Sequence, residues 1–172
     1  MGDDKWSAEG KPASTDPVTP NAVTFTGAEN KEMFVTKAYV EKSIGKSILV
    51  DARDSNAYFG LSQAPWEKKA GHIPSAKSLP SPWFWTFKMN EKKVPIYGAY
   101  KDIDTVKEMA HSVLGEDVSK EIIVYCGVGG YAAASYYVLT RMVGYQNVKI
   151  FDGSMQVWTA DPEAQVVKYR YQ

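Results

Sequence analysis

Short apolar runs that alternate with helix-compatible segments are the feature that most constrains the fold of this chain. The clearest runs are Ser47–Ala52, Ile122–Tyr125 and Val148–Phe151, and each has the length of a single strand. Apolar runs without polar alternation are typical of strands that are buried on both faces of a sheet. From Val23 onward, the alternation therefore predicts an α/β domain with a largely parallel sheet.

The helix signals fall between these runs. Phe34-Val35 is predicted to be a short strand that leads into Thr36 as an N-cap, followed by a helix over Lys37–Ile44. A brief helix is predicted over residues 56–60 and a loop over 61–70. An amphipathic helix follows Asp102, with a Thr105/Glu108 capping box at its start and Gly115 at its end. An apolar helix is predicted over Ala132–Val143 and ends at Gly144.

Length and composition indicate one domain. The chain has 172 residues and 44% apolar content, which is enough for one core and too little for two. Residues 1–22 are rich in Pro, Ser and Thr and are predicted to be a flexible tail or linker, so the domain is expected over 23–172.

The charge balance and the hydropathy of the chain limit the kinds of molecule that it is expected to bind. Twenty basic residues balance twenty acidic residues without a block of like charge, which argues against nucleic acid or an anionic membrane. No run reaches the roughly 18 apolar residues of a membrane span. We therefore expect a soluble protein. The N-terminus lacks the apolar core of a signal peptide, which leaves two compartments open: periplasmic or secreted after loss of a signal, or cytoplasmic.

Cys126 is the only cysteine, and it opens the glycine-rich stretch Cys126-Gly127-Val128-Gly129-Gly130 directly after the Ile122–Tyr125 run. Ligands of open α/β sheets bind at the carboxyl ends of the strands. A helix that begins just beyond the loop presents unpaired N–H groups, which favour a thiolate over a thiol. An unpaired cysteine is often only a small buried hydrophobe, but the glycines favour a nucleophile.

Neither a metal nor a cofactor is predicted. One cysteine cannot form a disulfide or a thiolate zinc site, and His72 and His111 are not spaced as a metal-binding pair. Residues 80–100 contain three prolines and five aromatic residues and match no regular element. We expect this segment to pack over one sheet face; a hydrophobic wall beside the site, or a contact between subunits of a homodimer, are the alternatives.

Four segments together resemble the rhodanese (sulfurtransferase) family. In chain order they are Val50–Arg53, Gly71–Ala76, Val124–Ala132, and Asp152-Gly153-Ser154 with Trp158. The resemblance implies the rhodanese fold, a central parallel five-stranded sheet with helices on both faces. It also implies sulfurtransferase activity, in which Cys126 takes the outer sulfur of a donor such as thiosulfate, a polysulfide or a mercapto acid. The resulting Cys126 persulfide then passes that sulfur to a thiol or to cyanide.

The same resemblance suggests roles for the site residues. The loop amides are expected to hold the anion, so the binding residues are Gly127, Val128, Gly129, Gly130, Tyr131 and Ala132. Asp51 and Arg53 match the acidic and basic pair at the strand end and are given a supporting role, with a simple surface ion pair as the alternative. His72 is interpreted as structural, and Asp152 and Trp158 as supports of the last turn near the site.

Departures from the family pattern leave the donor unassigned. Thiosulfate-type loops carry a basic residue directly after the cysteine and often another near the loop end, where this chain has Gly127 and Tyr131. Loops of the mercaptopyruvate type also have glycine after the cysteine, but Val128 replaces their small polar residue, and Val157 stands before Trp158 where many relatives have an acid. A neutral or long-chain donor such as polysulfide therefore stays open.

Two other functions are weighed against a self-loading enzyme. One is a carrier or binding module that receives persulfide sulfur from a partner. The other is a cysteine phosphatase, whose Cys-x5-Arg loop provides an arginine that clamps phosphoryl oxygens. Residues 127–132 of this loop contain no arginine, and Tyr131 stands near its end, so phosphatase activity is not favoured.

Overall fold

A computed structural model describes residues 6–7, 9–28, 30–89, 91–93 and 95–171. Residues 11–28 contain no helix or strand, and their side chains are almost all exposed. Residues 1–5 and 8 lie outside the described ranges, and the division into a tail over 1–22 and a domain over 23–172 stays a prediction. Among the described residues, no helix has the length and apolar character needed to cross a membrane.

The elements alternate along the chain as the sequence predicts. The helices are α1 (Lys37–Ser43), α2 (Ser55–Phe59), a 3-10 helix (Ser81–Phe84), α3 (Ile103–Leu114), α4 (Gly130–Tyr137), a π-helix (Val138–Val143) and α5 (Ser154–Ala160). The strands are β1 (Ile48–Asp51), β2 (Lys77–Ser78), β3 (Trp85–Met89), β4 (Pro95–Tyr100), β5 (Ile122–Tyr125) and β6 (Val148–Ile150).

The central sheet is parallel and has four strands in the order β2-β1-β5-β6. The prediction of five strands is wrong: the Phe34-Val35 segment makes only an isolated parallel bridge to Ile150 beside β6. Its backbone cannot pair further, because Thr36 already caps α1, with its side chain accepting the Tyr39 N–H.

Helices cover both faces of this sheet, as predicted. Successive side chains of a strand point to opposite faces, and β5 divides accordingly. Ile122 and Val124 pack in a core with α3, α4 and the π-helix, whereas Ile123 and Tyr125 pack in a second core with α1, α2 and α5. All four side chains are fully buried. Burial on both faces explains why β5 is apolar without alternation.

Two helices differ in detail from the prediction. The N-cap of α3 is Asp102, whose carboxylate accepts the Thr105 N–H at 2.9 Å, so the predicted Thr105/Glu108 capping box is wrong. The helix after Cys126 begins at Gly130 and its second half widens into the π-helix before it ends at Gly144. Both ends of that helix lie within two residues of the predicted bounds.

Residues 81–89 and 95–100 form regular elements that the sequence did not indicate. After the 3-10 helix, β3 and β4 pair as an antiparallel hairpin. Phe84 is buried in the core, but Trp83, Phe87 and Met89 are about half exposed. The segment is therefore not simply a cover over a sheet face, and the expectation of packing there applies mainly to Phe84.

Candidate active site

Cys126 lies at the carboxyl end of β5, next to the end of β1. Asp51 of β1 pairs with Tyr125, and the Ala52 N–H continues the ladder to the Tyr125 carbonyl at 2.8 Å. The Cys126 carbonyl accepts the Met155 N–H of α5 at 3.0 Å. Only 2% of Cys126 is exposed. Three elements therefore hold the cysteine in place.

The sulfur receives a hydrogen bond from its own loop. The Gly129 N–H donates to Cys126 Sγ at 3.1 Å, just before α4 begins at Gly130. An N–H directed at the sulfur, together with the partial positive charge of a helix N-terminus, stabilises a thiolate. The predicted role of residues 127–132 in holding an anion stays a prediction.

Ser154 is a site residue to which sequence reasoning gave no role of its own. Its hydroxyl oxygen accepts the Cys126 N–H at 3.0 Å and lies 3.9 Å from Sγ, while its hydrogen bond to the Phe151 carbonyl is 3.0 Å long. Ser154 is fully buried and takes a φ of 48°, which a non-glycine residue rarely adopts. The Asp152-Gly153-Ser154 motif was the available signal, but not its contact with the cysteine.

The loop glycines differ in what the structure requires of them. Gly129 has a φ of 94°, and a Cβ there would lie 2.4 Å from Asp152 Oδ1, so no side chain fits. A Cβ at Gly127 would lie 3.1 Å from Trp66 Nε1, whereas one at Gly130 would meet no atom within 4 Å. The structure therefore gives a steric reason for glycine at 129, a weaker one at 127 and none at 130.

A cavity of about 680 Å³ opens at Cys126. Its walls are formed by the cysteine loop, the end of β1 with α2, and the loop between α2 and β2; the lining residues are Cys126, Gly127, Val128, Gly130, Tyr131, Arg53, Asp54, Ala57, Ser62, Gln63, Ala64, Trp66 and Glu67. Ala132 is fully buried in the core behind the loop. A cavity of this size suits a small molecule.

Asp51 and Arg53 belong to a buried charge network. The Arg53 guanidinium donates to Asp51 Oδ2 at 2.6 Å, to Glu67 Oε1 at 3.0 Å and to the Gly71 carbonyl at 2.7 Å. Asp51 is fully buried and Arg53 is 5% exposed, so the alternative of a surface ion pair is wrong. Burial acts to lower the pKa of Arg53, but Asp51 and Glu67 outweigh it and the pKa is raised.

Glu67 and Trp66 come from the loop between α2 and β2, and sequence reasoning missed both. Glu67 is 3% exposed, and a Cβ on Gly127 would lie 3.6 Å from its Oε1. Trp66 is partly exposed and lies over the same glycine. The region was predicted as a loop without function, and its sequence carries no periodic signal that could place a side chain beside Cys126.

The Gly71–Ala76 segment is structural, as predicted for His72. The His72 ring is fully buried, stacks on Tyr58 with 3.7 Å between centroids, and has Nδ1 2.7 Å from the Tyr58 carbonyl. Burial lowers the pKa of His72, and the hydrogen bond to the carbonyl opposes that shift. The Ile73 N–H donates to the Tyr125 hydroxyl at 3.1 Å, which ties the segment to β5.

Of the two other residues that were predicted to support the site, one lies beside the cysteine loop and the other lies in the core. Asp152 packs against Gly129 beside the cysteine loop. Trp158 is 2% exposed and donates from Nε1 to the Gln165 carbonyl at 2.9 Å, so it holds the C-terminal segment rather than the loop. Tyr131, in the cavity wall, contacts Trp85 of β3 with 6.3 Å between ring centroids, which makes the hairpin a neighbour of the site.

Within the described ranges, no cluster of three or more His, Cys, Asp or Glu side chains is arranged to bind a metal ion. The chemistry that the described residues can perform is therefore that of a buried thiol with a backbone donor, an apolar and aromatic cavity wall, and a buried guanidinium held by two carboxylates.

Proteins of similar sequence identify the family to which this chain belongs. The family described as "Rhodanese-like domain" matches residues 36–161. A "Putative thiosulfate sulfurtransferase" of Mycobacterium leprae is 34% identical over 162 residues, and the match covers 90% of this chain and 54% of that protein. The "Sulfur carrier protein TtuD" of Thermus thermophilus is 29% identical over 169 residues, covering 91% and 56%. The chain spans about half the length of these curated relatives.

Solved structures agree on the fold. The anaerobic ergothioneine biosynthesis enzyme of Chlorobium limicola, in complex with trimethyl histidine, superposes with a TM-score of 0.78 at 20% identity, over 97% of this chain and 40% of that one. A complex of EanB with ergothioneine gives a TM-score of 0.79 at 21% identity, over 99% and 41%. With the family match over most of its length, a parallel sheet flanked by helices and a cysteine loop at the strand ends, this chain belongs to the rhodanese-like family.

Proposed function

We propose that the protein is a sulfurtransferase that carries sulfur as a persulfide on Cys126. The Cys126 thiolate attacks the outer sulfur of a donor, a new S–S bond forms, and the rest of the donor leaves with the electron pair of the broken bond. A thiol or cyanide then attacks the outer sulfur of the persulfide, and Cys126 leaves as a thiolate. Relatives named thiosulfate sulfurtransferase support transfer of sulfur in general.

The hydrogen bond from the Gly129 N–H to Cys126 Sγ carries this proposal. Both steps require negative charge on sulfur, first on the attacking thiolate and then on the departing one. A fixed backbone donor at 3.1 Å stabilises that charge in both steps without needing to reorient. No histidine lies beside Cys126 in sequence to act as a base, so the loop and the N-terminus of α4 supply the stabilisation.

The cavity supports attack by a small molecule. Cys126 is part of its wall, and the loop residues Val128 and Tyr131 contribute apolar and aromatic surface there. An outer sulfur bound to Sγ is a small, polarizable group that such surface accommodates well. The buried position of Cys126 also limits the access of bulky oxidants and of water to the persulfide.

Thiosulfate, a mercapto acid and an uncharged or long-chain donor such as polysulfide are the donor candidates. The cavity-lining residues include one cation, Arg53, and its guanidinium is already paired with Asp51 and Glu67. With the lining residues that the structure describes, a thiosulfate dianion would therefore depend on backbone amides and neutral side chains. A polysulfide, whose charge is spread along a longer chain, makes less demand on a local cation.

A sulfur carrier that is loaded by a partner is the second candidate, since one relative is named a sulfur carrier protein. In that case Cys126 accepts sulfur from another protein's persulfide rather than from a small molecule. The chemistry at Sγ is the same, and only the source of the outer sulfur differs.

Intact-protein mass spectrometry tests the proposal. Because Cys126 is the only cysteine, every sulfur adduct that a reductant removes reports on this residue. The protein is incubated separately with thiosulfate, polysulfide and 3-mercaptopyruvate. We expect a gain of one sulfur atom with at least one donor, its loss on adding cyanide or a thiol, and no gain in Cys126→Ser.

Other outcomes would point elsewhere. No adduct with any small donor, but sulfur uptake from a persulfidated partner protein, would favour the carrier. No uptake from either source would contradict sulfur transfer altogether. Hydrolysis of a phosphotyrosine analogue that disappears in Cys126→Ser would instead support a cysteine phosphatase.

A further inference from the structure

The cavity beside Cys126 is electrically uneven. At the sulfur, the Gly129 N–H and the start of α4 present positive charge. In the adjoining wall, the lining residues include two acids, Glu67 and Asp54, and Glu67 Oε1 lies near the loop at Gly127. Among the described lining residues, the one cation is Arg53, which is paired with Glu67 and with the fully buried Asp51. The single positive charge of this guanidinium is therefore outnumbered by three carboxylates, and the wall carries a net negative charge.

Glu67 is the residue that points to a ligand. It is 3% exposed, and its Oε1 bonds to Arg53 while its Oε2 is buried with no hydrogen-bond partner among the described residues. A buried carboxylate oxygen without a donor is costly. Its charge also acts over a longer range than a surface charge, because little water screens it.

Trp66 supplies the second element of this wall. Its indole lines the cavity, lies over Gly127 and is 44% exposed. The face of an indole attracts cations, with a preference for Trp over Tyr and Phe. An aromatic surface next to two carboxylates favours a positively charged group and disfavours an anion.

We propose that the small thiol that takes sulfur from Cys126 carries an ammonium-type positive charge, which binds on the wall formed by Trp66, Glu67 and Asp54. This inference rests on the proposed function, because it names the acceptor class for that reaction. The acceptor thiolate faces the loop amides and the ammonium group faces the carboxylates. The dipolar ligand thus matches the dipolar cavity.

The transfer step is balanced without any oxidant. The acceptor thiol loses its proton to solvent, and its sulfur attacks the outer sulfur of the Cys126 persulfide. A new S–S bond forms on the acceptor as the bond to Sγ breaks, and the electron pair returns to Cys126. The acceptor leaves as a persulfide, and Cys126 is again a thiolate held by the Gly129 N–H.

One test uses thiols that share a two-carbon arm. Persulfidated protein is mixed with 2-aminoethanethiol, 2-mercaptoethanol or 3-mercaptopropionate, and the rate of sulfur loss is divided by the thiolate fraction of each acceptor. We expect the aminothiol to exceed the carboxylate thiol by about tenfold, the factor that a difference of about 1.4 kcal/mol in electrostatic energy gives.

Single substitutions distinguish the effect of charges in this wall from the effect of the protein's net charge. Asp54→Asn and Glu67→Gln should each lower the ratio of aminothiol to carboxylate-thiol rates by about threefold or more, because each removes one unit of negative charge from the wall. Asp117→Asn is the matched control, since Asp117 is exposed and lies before β5, at the opposite end of the sheet. It should leave the ratio unchanged. Asp54 is exposed, so its variant stays informative if Glu67→Gln fails to fold.

A second test does not depend on sulfur transfer. Methanethiosulfonates with a two-carbon arm that ends in trimethylammonium or in sulfonate react with Cys126, releasing methanesulfinate and leaving a mixed disulfide. Normalised to a free thiol, the cationic reagent should react faster, and Asp54→Asn should reduce that preference. If no persulfide ever forms but this preference is present, sulfur transfer fails and the charge of the cavity stands. Equal reactivity toward both reagents, or a faster anionic reagent, would overturn the inference.

Discussion

The carboxyl ends of β1 and β5 lie side by side, yet they handle buried polar groups in opposite ways. At the end of β1, Asp51 and Arg53 bond to each other through side chains, with Glu67 completing the network. At the end of β5, the groups around Cys126 carry no charge: the Gly129 N–H reaches Sγ, the Cys126 carbonyl takes the Met155 N–H, and the Ser154 hydroxyl accepts the Cys126 N–H.

This difference separates the residues that maintain the shape of the site from those that take part in the proposed reaction. Because the Arg53 charge is already paired with two carboxylates, it is not available to bind an anionic substrate. A backbone donor is fixed by the loop and remains available to a sulfur whose charge changes during the reaction. The β1 end therefore maintains the shape and the charge of the wall, and the β5 end performs the proposed reaction.

The largest effect is expected from breaking the β1 network. Arg53→Met leaves Asp51 and Glu67 buried without their cation, which should lower the free energy of unfolding by about 3–5 kcal/mol. Urea denaturation measures the change. Lys149→Met is the control, because the Lys149–Glu121 pair is partly exposed and its loss should cost less than about 1 kcal/mol. Equal losses in both variants would remove the distinction between buried and exposed pairs.

A smaller but more functional effect is expected in the β5 loop. Gly129→Ala places a Cβ against Asp152 at a positive φ and should lower the free energy of unfolding by about 2–3 kcal/mol. It should also slow alkylation of Cys126 at neutral pH by shifting the N–H away from Sγ. Gly130→Ala, where a Cβ meets nothing within 4 Å, is expected to change neither. A full alkylation rate in Gly129→Ala would contradict the role of that amide.

Ser154→Ala tests how the loop is anchored. Removing the hydroxyl leaves the buried Cys126 N–H without its acceptor, and we expect a loss of about 1–2 kcal/mol in the free energy of unfolding. Ser43→Ala makes a useful comparison, because Ser43 is also buried and its hydroxyl bonds within α1 to the Tyr39 carbonyl. Only Ser154→Ala should slow persulfide formation; the same rate in both variants would make Ser154 purely structural.

The smallest effect concerns pH and the segment that packs beside the β1 network. Burial lowers the pKa of His72 below its unfolded value, so the unfolded chain binds a proton more readily. The stabilisation is complete above an unfolded pKa of about 6.5 and is lost as pH falls through the folded value. We expect the Tm to fall between pH 7 and 5, less so in His72→Gln. An equal slope in both proteins would assign the effect to other groups.

Much of the fold was predictable because the apolar runs are short and continuous. Ile122–Tyr125 can satisfy its pattern only as a strand buried on both faces, and the glycines after Cys126 require a tight loop before α4. The number of strands was not predictable in this way. Whether Phe34-Val35 extends the sheet depends on where Thr36 begins α1, which a propensity cannot resolve to a single residue.

The hairpin at 85–100 was missed for a related reason. Prolines and aromatic residues obscure any alternation there, and the hairpin partly rests on contacts such as Trp85 with Tyr131 of α4, a residue distant in sequence. Pairing that depends on such tertiary contacts leaves little trace in the local sequence.

The sequence by itself determined the layered α/β architecture, the position of Cys126 at a strand end and the absence of a basic residue in its loop, because these follow from local patterns and residue identity. Tertiary structure alone decided what faces the cysteine. Glu67 and Trp66 reach the neighbouring Gly127 from an irregular loop, and Ser154 reaches the cysteine from α5. Their placement depends on how distant segments close around one cavity, and no spacing along the chain encodes that closure.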